Sequence, residues 1–140
     1  NNRENFSSKL KPIYQAIKKT RRNLKKEKSL ISFIGAPWTL LVYMFGLKKN
    51  KNEINLLKFK NKKNELNKIM DSLIKYSCLH IENQIEAGAD LVQIFDSWAG
   101  LLPDNDLENY CYKANLEIVN FCKKRKIPVI CFPKGIKKII

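Results

Sequence analysis

Ser29-Leu30-Ile31-Ser32-Phe33-Ile34-Gly35-Ala36-Pro37-Trp38-Thr39-Leu40-Leu41-Val42-Tyr43-Met44-Phe45-Gly46 decides how the rest of the chain is read. Leu30, Ile31, Phe33 and Ile34 form a short apolar run ending at Gly35, the pattern of a strand buried on both faces rather than an alternating, half-exposed one. Pro37 has no N–H for a sheet ladder, so the strand ends before it, and its fixed φ suits the first turn of a helix. Trp38, Leu41, Val42 and Phe45 then recur at helical spacing. The stretch therefore reads as strand, tight Gly-Ala-Pro turn, helix. Parallel α/β folds build their sites just past the carboxyl ends of strands, where residues 35–39 fall.

Upstream, residues 1–8 are polar and read as a loose lead-in. Ser8 is an N-cap candidate for a helix carrying Leu10, Ile13, Tyr14, Ile17 and Leu24 on one face, with Pro12 tolerated because it falls early. This helix is expected to pack against a sheet, its Lys18, Lys19, Arg22 and Lys25 face remaining solvated. Downstream, residues 47–63 read as a loop with a short helix around Ile54, Leu56, Leu57 and Phe59. Asn64 is the expected cap of a long helix with Leu66, Ile69, Met70, Leu73, Ile74, Ile81 and Ile85 as its apolar positions, and Gly88 fits its left-handed stop. His80 on this helix reads as a packing residue rather than a catalytic one.

Residues 91–95 form a second short buried strand, with Asp96-Ser97-Trp98-Ala99-Gly100 at its carboxyl end. Asp104 or Asp106 is expected to cap a helix bearing Leu107, Tyr110, Ala114, Ile118, Phe121 and Cys122 on one face. Residues 128–132 are a third buried strand, followed by Pro133-Lys134-Gly135. Strands alternating with helices are βαβ units, whose crossovers are right-handed. Periodicity alone licenses a parallel α/β fold.

The net charge of +14 and pI near 9.7 would ordinarily suggest nucleic acid or an anionic membrane surface. Nearly all of that charge is Lys, with Arg only at positions 3, 21, 22 and 125, whereas phosphate recognition favours Arg forks. A solvated Lys-rich surface is the reading adopted, one that would also draw in a polycarboxylate. Cys78, Cys111, Cys122 and Cys131 lack the close spacing of a metal motif and read as buried, reduced thiols of a cytoplasmic protein. No apolar run approaches the roughly 20 residues needed to span a bilayer, and no secretory leader is read. The chain opens at Asn1 without methionine and stops inside an apolar run at Ile139-Ile140, so neither end reads as a finished terminus.

Phe33-Ile34-Gly35-Ala36-Pro37-Trp38-Thr39-Leu40 followed by Tyr43-Met44 resembles the first signature of the uroporphyrinogen decarboxylase family. Ala87-Gly88-Ala89 and Phe95-Asp96-Ser97-Trp98-Ala99-Gly100 resemble the second, in the right order. The resemblance implies a (β/α)8 TIM barrel, which usually takes about 250 residues. At 140 residues this chain is then a single segment, 1–140, from the central part of an incomplete barrel. It also implies a cytoplasmic homodimer that removes the four acetate carboxyl groups of uroporphyrinogen III, giving coproporphyrinogen III, with no metal and no cofactor. Three of eight strands leave open edges, so the segment alone is expected to be inactive and aggregation-prone.

Within that resemblance, Tyr43 aligns with the tyrosine that meets the substrate near the reacting acetate, Ser97 with a serine that hydrogen-bonds a substrate side chain, and Phe33 with an aromatic lining the pocket. By themselves Tyr43 reads as a core aromatic and Ser97 as a turn-capping hydroxyl. The family's catalytic aspartate, its carboxylate-binding arginines and its histidine fall outside this segment. Asp96 reads as a loop-orienting acceptor, Trp38 and Trp98 as scaffold, and Lys134 as a surface lysine. Many relatives have an acidic residue and glycine where Phe45-Gly46 stands here. Two rival classes are a zinc-dependent methyltransferase of the same superfamily and a Lys-rich nucleic-acid-binding module; neither accounts for the paired signatures, and neither nucleic acid nor membrane is an expected partner.

Overall fold

The computed structural model describes residues 2–50, 53–55, 59 and 61–136. Two helices open the chain, α1 (Asn2–Lys9) and α2 (Lys11–Asn23), where the sequence suggested a lead-in and one helix capped by Ser8. Pro12 explains the break: it cannot donate to the carbonyl four residues back, so a second helix starts with Pro12 in its first turn and Leu10 as its cap. Nor does α2 lie on the sheet. It has no buried residue, and Tyr14 instead reaches His80 on a later helix.

Strand β1 (Ile31–Gly35) runs into α3 (Pro37–Phe45) through Ala36, and α3 ends at Gly46 with φ +57°. That left-handed end is why glycine follows Phe45, whose ring packs edge-on against Phe59 at 5.2 Å. Beyond it the expected loop is an antiparallel hairpin of β2 (Lys48–Asn50) and β3 (Glu53–Ile54). Leu56 and Leu57 of the expected short helix lie outside the described residues.

Asn61 turns the chain with φ +64°, and α4 (Lys63–Glu86) starts from Lys62, leaving Asn64 inside the helix rather than capping it. Gly88 follows α4 with φ +112°, and a Cβ there would lie 2.9 Å from Cγ of Arg21. Arg21 in turn donates to the carbonyls of Leu24, Lys25 and Lys28 and to Asp90, whose Oδ2 also accepts the Leu30 N–H. One arginine thereby ties α2 to the amino ends of two strands.

Strand β4 (Leu91–Asp96) is followed by a single 3-10 turn at Ala99–Leu101. Next, α5 (Asp104–Leu107) continues through a π-helical stretch, Glu108–Lys113, into α6 (Ala114–Lys124). Pro103 occupies the cap position expected of Asp104 or Asp106, both of which sit in the first turn, where a carboxylate favours the helix dipole. Strand β5 (Val129–Pro133) closes the order.

The three longer strands form one sheet in the order β1-β4-β5, parallel throughout. Ser32, Ile34, Val92 and Ile94 face the helices and build the core with Trp38, Leu41, Ile81 and Ile118. The expectation of strands buried on both faces is overturned. Burial in β1 and β4 alternates, and β5 is mostly exposed, because helices cover one face only. On the uncovered face Phe33, Phe95 and Phe132 make an aromatic row, with centroids 5.8 and 6.2 Å apart, and Phe33 is 66% exposed.

Candidate functional site

The two strand-end segments meet at one point, and Asp96 is the junction. Its side chain is fully buried at the end of β4. Oδ1 accepts from the Thr39 hydroxyl at 2.8 Å, and Oδ2 accepts from the Asn115 amide at 3.0 Å. Burial pushes the carboxyl above the usual range, while hydrogen bonds from Thr39, Asn115 and Cys111 pull it back. Asp96 thus orients loops, as its position in the sequence suggested.

Further bonds lock the same segments. Trp38 Nε1 donates to the Trp98 carbonyl at 3.1 Å, and the Trp98 N–H donates to Thr39 Oγ1 at 3.4 Å. Trp38 is fully buried and stacks on Tyr110, so it is scaffold as expected. Gly100 donates its N–H to the Lys134 carbonyl at 2.9 Å, and a Cβ on Gly100 would sit 2.5 Å from the Gly135 carbonyl oxygen. Glycine is needed there for close approach of two backbones, because its φ is not in the left-handed region.

Around this locked layer lie the site residues expected from the sequence. Tyr43 is 63% exposed, so it is not the core aromatic that its helical spacing alone would suggest. Its ring meets Trp98 edge-on at 6.1 Å, beside Ser97, which is half-buried. Tyr43 and Ser97 thus lie at the same carboxyl end of the parallel sheet, while Phe33 sits lower, on its uncovered face. Lys48, unremarked in the sequence, places Nζ 4.4 Å from the centre of the Trp98 ring. Lys134 is exposed and enters the site through its backbone, its N–H donating to the Asp96 carbonyl.

Other candidates lie elsewhere. His80 accepts or donates at Nδ1 with the Tyr14 hydroxyl, 3.0 Å away, and burial lowers its pKa, consistent with a packing histidine. Burial pushes the Cys78 thiol up to about 11 and raises those of Cys111 and Cys122. Cys111 and Cys122 are buried as expected, whereas Cys78 is half-buried and Cys131 is exposed, because β5 is an uncovered edge. Among the described residues, no three His, Cys, Asp or Glu side chains converge as metal ligands would. No helix among the described residues is long and apolar enough to cross a membrane.

Sequence reasoning missed Asn115, Lys48 and the part played by Gly100. Asn115 had a signal, a polar residue between Cys111 and Ile118 on an apolar helix face. Lys48 had none, since lysine is everywhere in this chain.

A parallel sheet with polar and aromatic side chains gathered at the strand ends, one face packed by helices and the other bare, defines part of a parallel α/β architecture. The chain matches the family described as "Uroporphyrinogen decarboxylase (URO-D)" over residues 1–140, and it belongs to that family. It is 45% identical over 142 positions to the uroporphyrinogen decarboxylase of Orientia tsutsugamushi (strain Ikeda) and 42% over 136 positions to that of Campylobacter jejuni (strain RM1221). It is 36% identical over 135 positions to that of Rickettsia bellii (strain RML369-C). These alignments take 94–95% of this chain but 40% of each relative's length.

Proposed function

We propose that residues 1–140 form a single segment from the central part of a (β/α)8 barrel that decarboxylates the four acetate side chains of uroporphyrinogen III to give coproporphyrinogen III. The observation that carries the reading is the meeting of the two signature segments, which sets Tyr43 against Trp98 beside Ser97 at the carboxyl ends of adjacent parallel strands. The uncovered face with Phe33 is the barrel wall of this reading, and the remaining strands close it. The complete protein is proposed to be a cytoplasmic homodimer.

The chemical difficulty is the electron pair left when CO2 departs. Protonating a pyrrole at carbon creates a cationic sink for that pair. The site must therefore supply protons, stabilise positive charge on the ring and hold the peripheral carboxylates. Within this segment, the Tyr43 phenol donates to the reacting acetate or orients it, Ser97 hydrogen-bonds a substrate side chain, and Phe33 packs on the macrocycle. The principal acid and base groups belong to other segments of the complete enzyme.

Replacing Tyr43 by Phe in the complete enzyme tests this. Losing a hydrogen bond to a charged group costs about 1.5–3 kcal/mol, or roughly 10- to 150-fold in turnover, with an unchanged unfolding midpoint because the ring packing is kept. Unchanged kinetics would remove Tyr43 from the site. An unmodified enzyme that leaves uroporphyrinogen intact would refute the reading altogether.

A further inference from the structure

Lys48 differs from the other lysines of this chain in how it is held. Gly46 ends α3 in the left-handed conformation, and the next residue, Leu47, is buried. Leu47 donates its N–H to the Val42 carbonyl at 3.0 Å and accepts from the Asn55 N–H at 2.8 Å. The backbone leading to Lys48 is therefore pinned on both sides. Its side chain lies over Trp98, with Nζ 4.4 Å from the ring centre, while Tyr43 meets the same indole edge-on. Among the described residues no carboxylate pairs with it, in contrast to Arg21 with Asp90 and Arg125 with Glu82.

An ammonium resting on an aromatic face has N–H donors to spare. Holding the stem against the indole also removes rotamer freedom that a free lysine would lose on binding an anion. We infer that Lys48 is a substrate-binding residue, which with Tyr43 and Trp98 forms a cationic corner that takes one peripheral carboxylate of a polycarboxylate substrate. This rests on the decarboxylase reading, and it explains what the hairpin of β2 and β3 does, which is to carry the cation to the mouth of the site. Trp98 is then more than scaffold, since it presents the ammonium and supports the phenol.

The test is steady-state kinetics of the complete enzyme with uroporphyrinogen. Lys48→Gln is expected to raise KM about 3- to 10-fold, the range of one partly exposed charge pair, with kcat within about twofold and the melting temperature unchanged. The difference from the unmodified enzyme should narrow at high salt, because the lost contact is electrostatic. Lys48→Arg should restore KM, since a guanidinium also stacks on Trp and binds carboxylate. A KM unchanged in Lys48→Gln overturns the inference while leaving the decarboxylase reading intact. So does a fall in kcat and melting temperature with KM unmoved, which marks a structural lysine. If the unmodified enzyme does not act on uroporphyrinogen, the reading fails, and calorimetric titration of the same protein with benzenehexacarboxylate decides the inference by itself. Weaker binding by Lys48→Gln supports it, whereas equal binding or none overturns it.

Discussion

Removing the Asp96 carboxylate tests whether one buried group holds the two strand-end segments together. In Asp96→Ala the Thr39 hydroxyl loses its acceptor inside the core, and the Asn115 amide keeps only the long contact to Cys111 Sγ at 3.7 Å. An orphaned buried donor costs about 1–3 kcal/mol. A hydroxyl can rotate toward another acceptor and falls at the low end, while the fixed amide falls near the middle, so the loss should be about 3 kcal/mol. Asp96→Asn should be milder. Thr39 still donates to the one remaining oxygen, and a flip of Asn115 lets its Oδ1, buried without a partner, accept from the new amide, but the flip turns the Asn115 amide group away from Cys111 Sγ into a site with no acceptor. The loss should then be about 1–2 kcal/mol, one orphaned donor rather than two. Acid dependence separates the variants further. Because burial raises the folded carboxyl above its unfolded value of 3.8, the folded state binds the proton more tightly, and this group's contribution falls as pH rises between those two values. Above that window the penalty of the buried charge is constant, and Asp96→Asn abolishes the dependence. Urea unfolding of the complete enzyme, followed by Trp fluorescence across pH, measures all of this. An Asp96→Ala variant as stable as the original, or an Asn variant as damaged as the Ala one, would refute the reasoning.

Two further outcomes are expected. Gly100→Ala should lower stability by about 1–3 kcal/mol, the usual cost of overpacking, because its methyl would meet the Gly135 backbone at 2.5–2.8 Å; a neutral effect in a urea melt would count against the close approach. Residues 1–140 expressed alone should bind a hydrophobic dye and self-associate, since Phe33, Ile130 and Phe132 are exposed on a sheet with uncovered edges; a monomeric product with a sharp, reversible melt would contradict this.

Much of this architecture was legible in the residues. Gly35-Ala36-Pro37 marks the strand-to-helix junction because Pro37 lacks the N–H a longer ladder needs and has its φ fixed for a first helical turn, and the order of strands and helices follows from length and period. What stayed hidden depends on partners far along the chain. Phe33 and Ile34 are equally apolar, and only the absence of a covering layer leaves one exposed and the other buried. Helix starts were displaced where Pro12, Asn61 and Pro103 controlled the backbone more firmly than the side-chain caps at Ser8, Asn64 and Asp104. Of the site, Tyr43, Ser97 and Phe33 were named from the family resemblance, whereas Asn115 and Lys48 emerge only once α6 and the hairpin are folded against the strand ends.

Pro37 and Asp96 belong to different signatures, yet they answer one geometric need. The Ala36 N–H donates to the Phe95 carbonyl at 2.8 Å, extending the β1–β4 ladder one residue past Gly35. Pro37 then withholds the next donor and turns the chain into α3. Past that point β4 has lost its neighbour on one side, but the Asp96 carbonyl still accepts from the Lys134 N–H at 3.0 Å on the other. Its side chain restores the missing connection by reaching Thr39, two residues beyond the proline. A backbone link between adjacent strands is thereby replaced by a side-chain link between their loops. Tyr43 and Trp98 are thereby held in contact, which is what a site built across two βα loops requires.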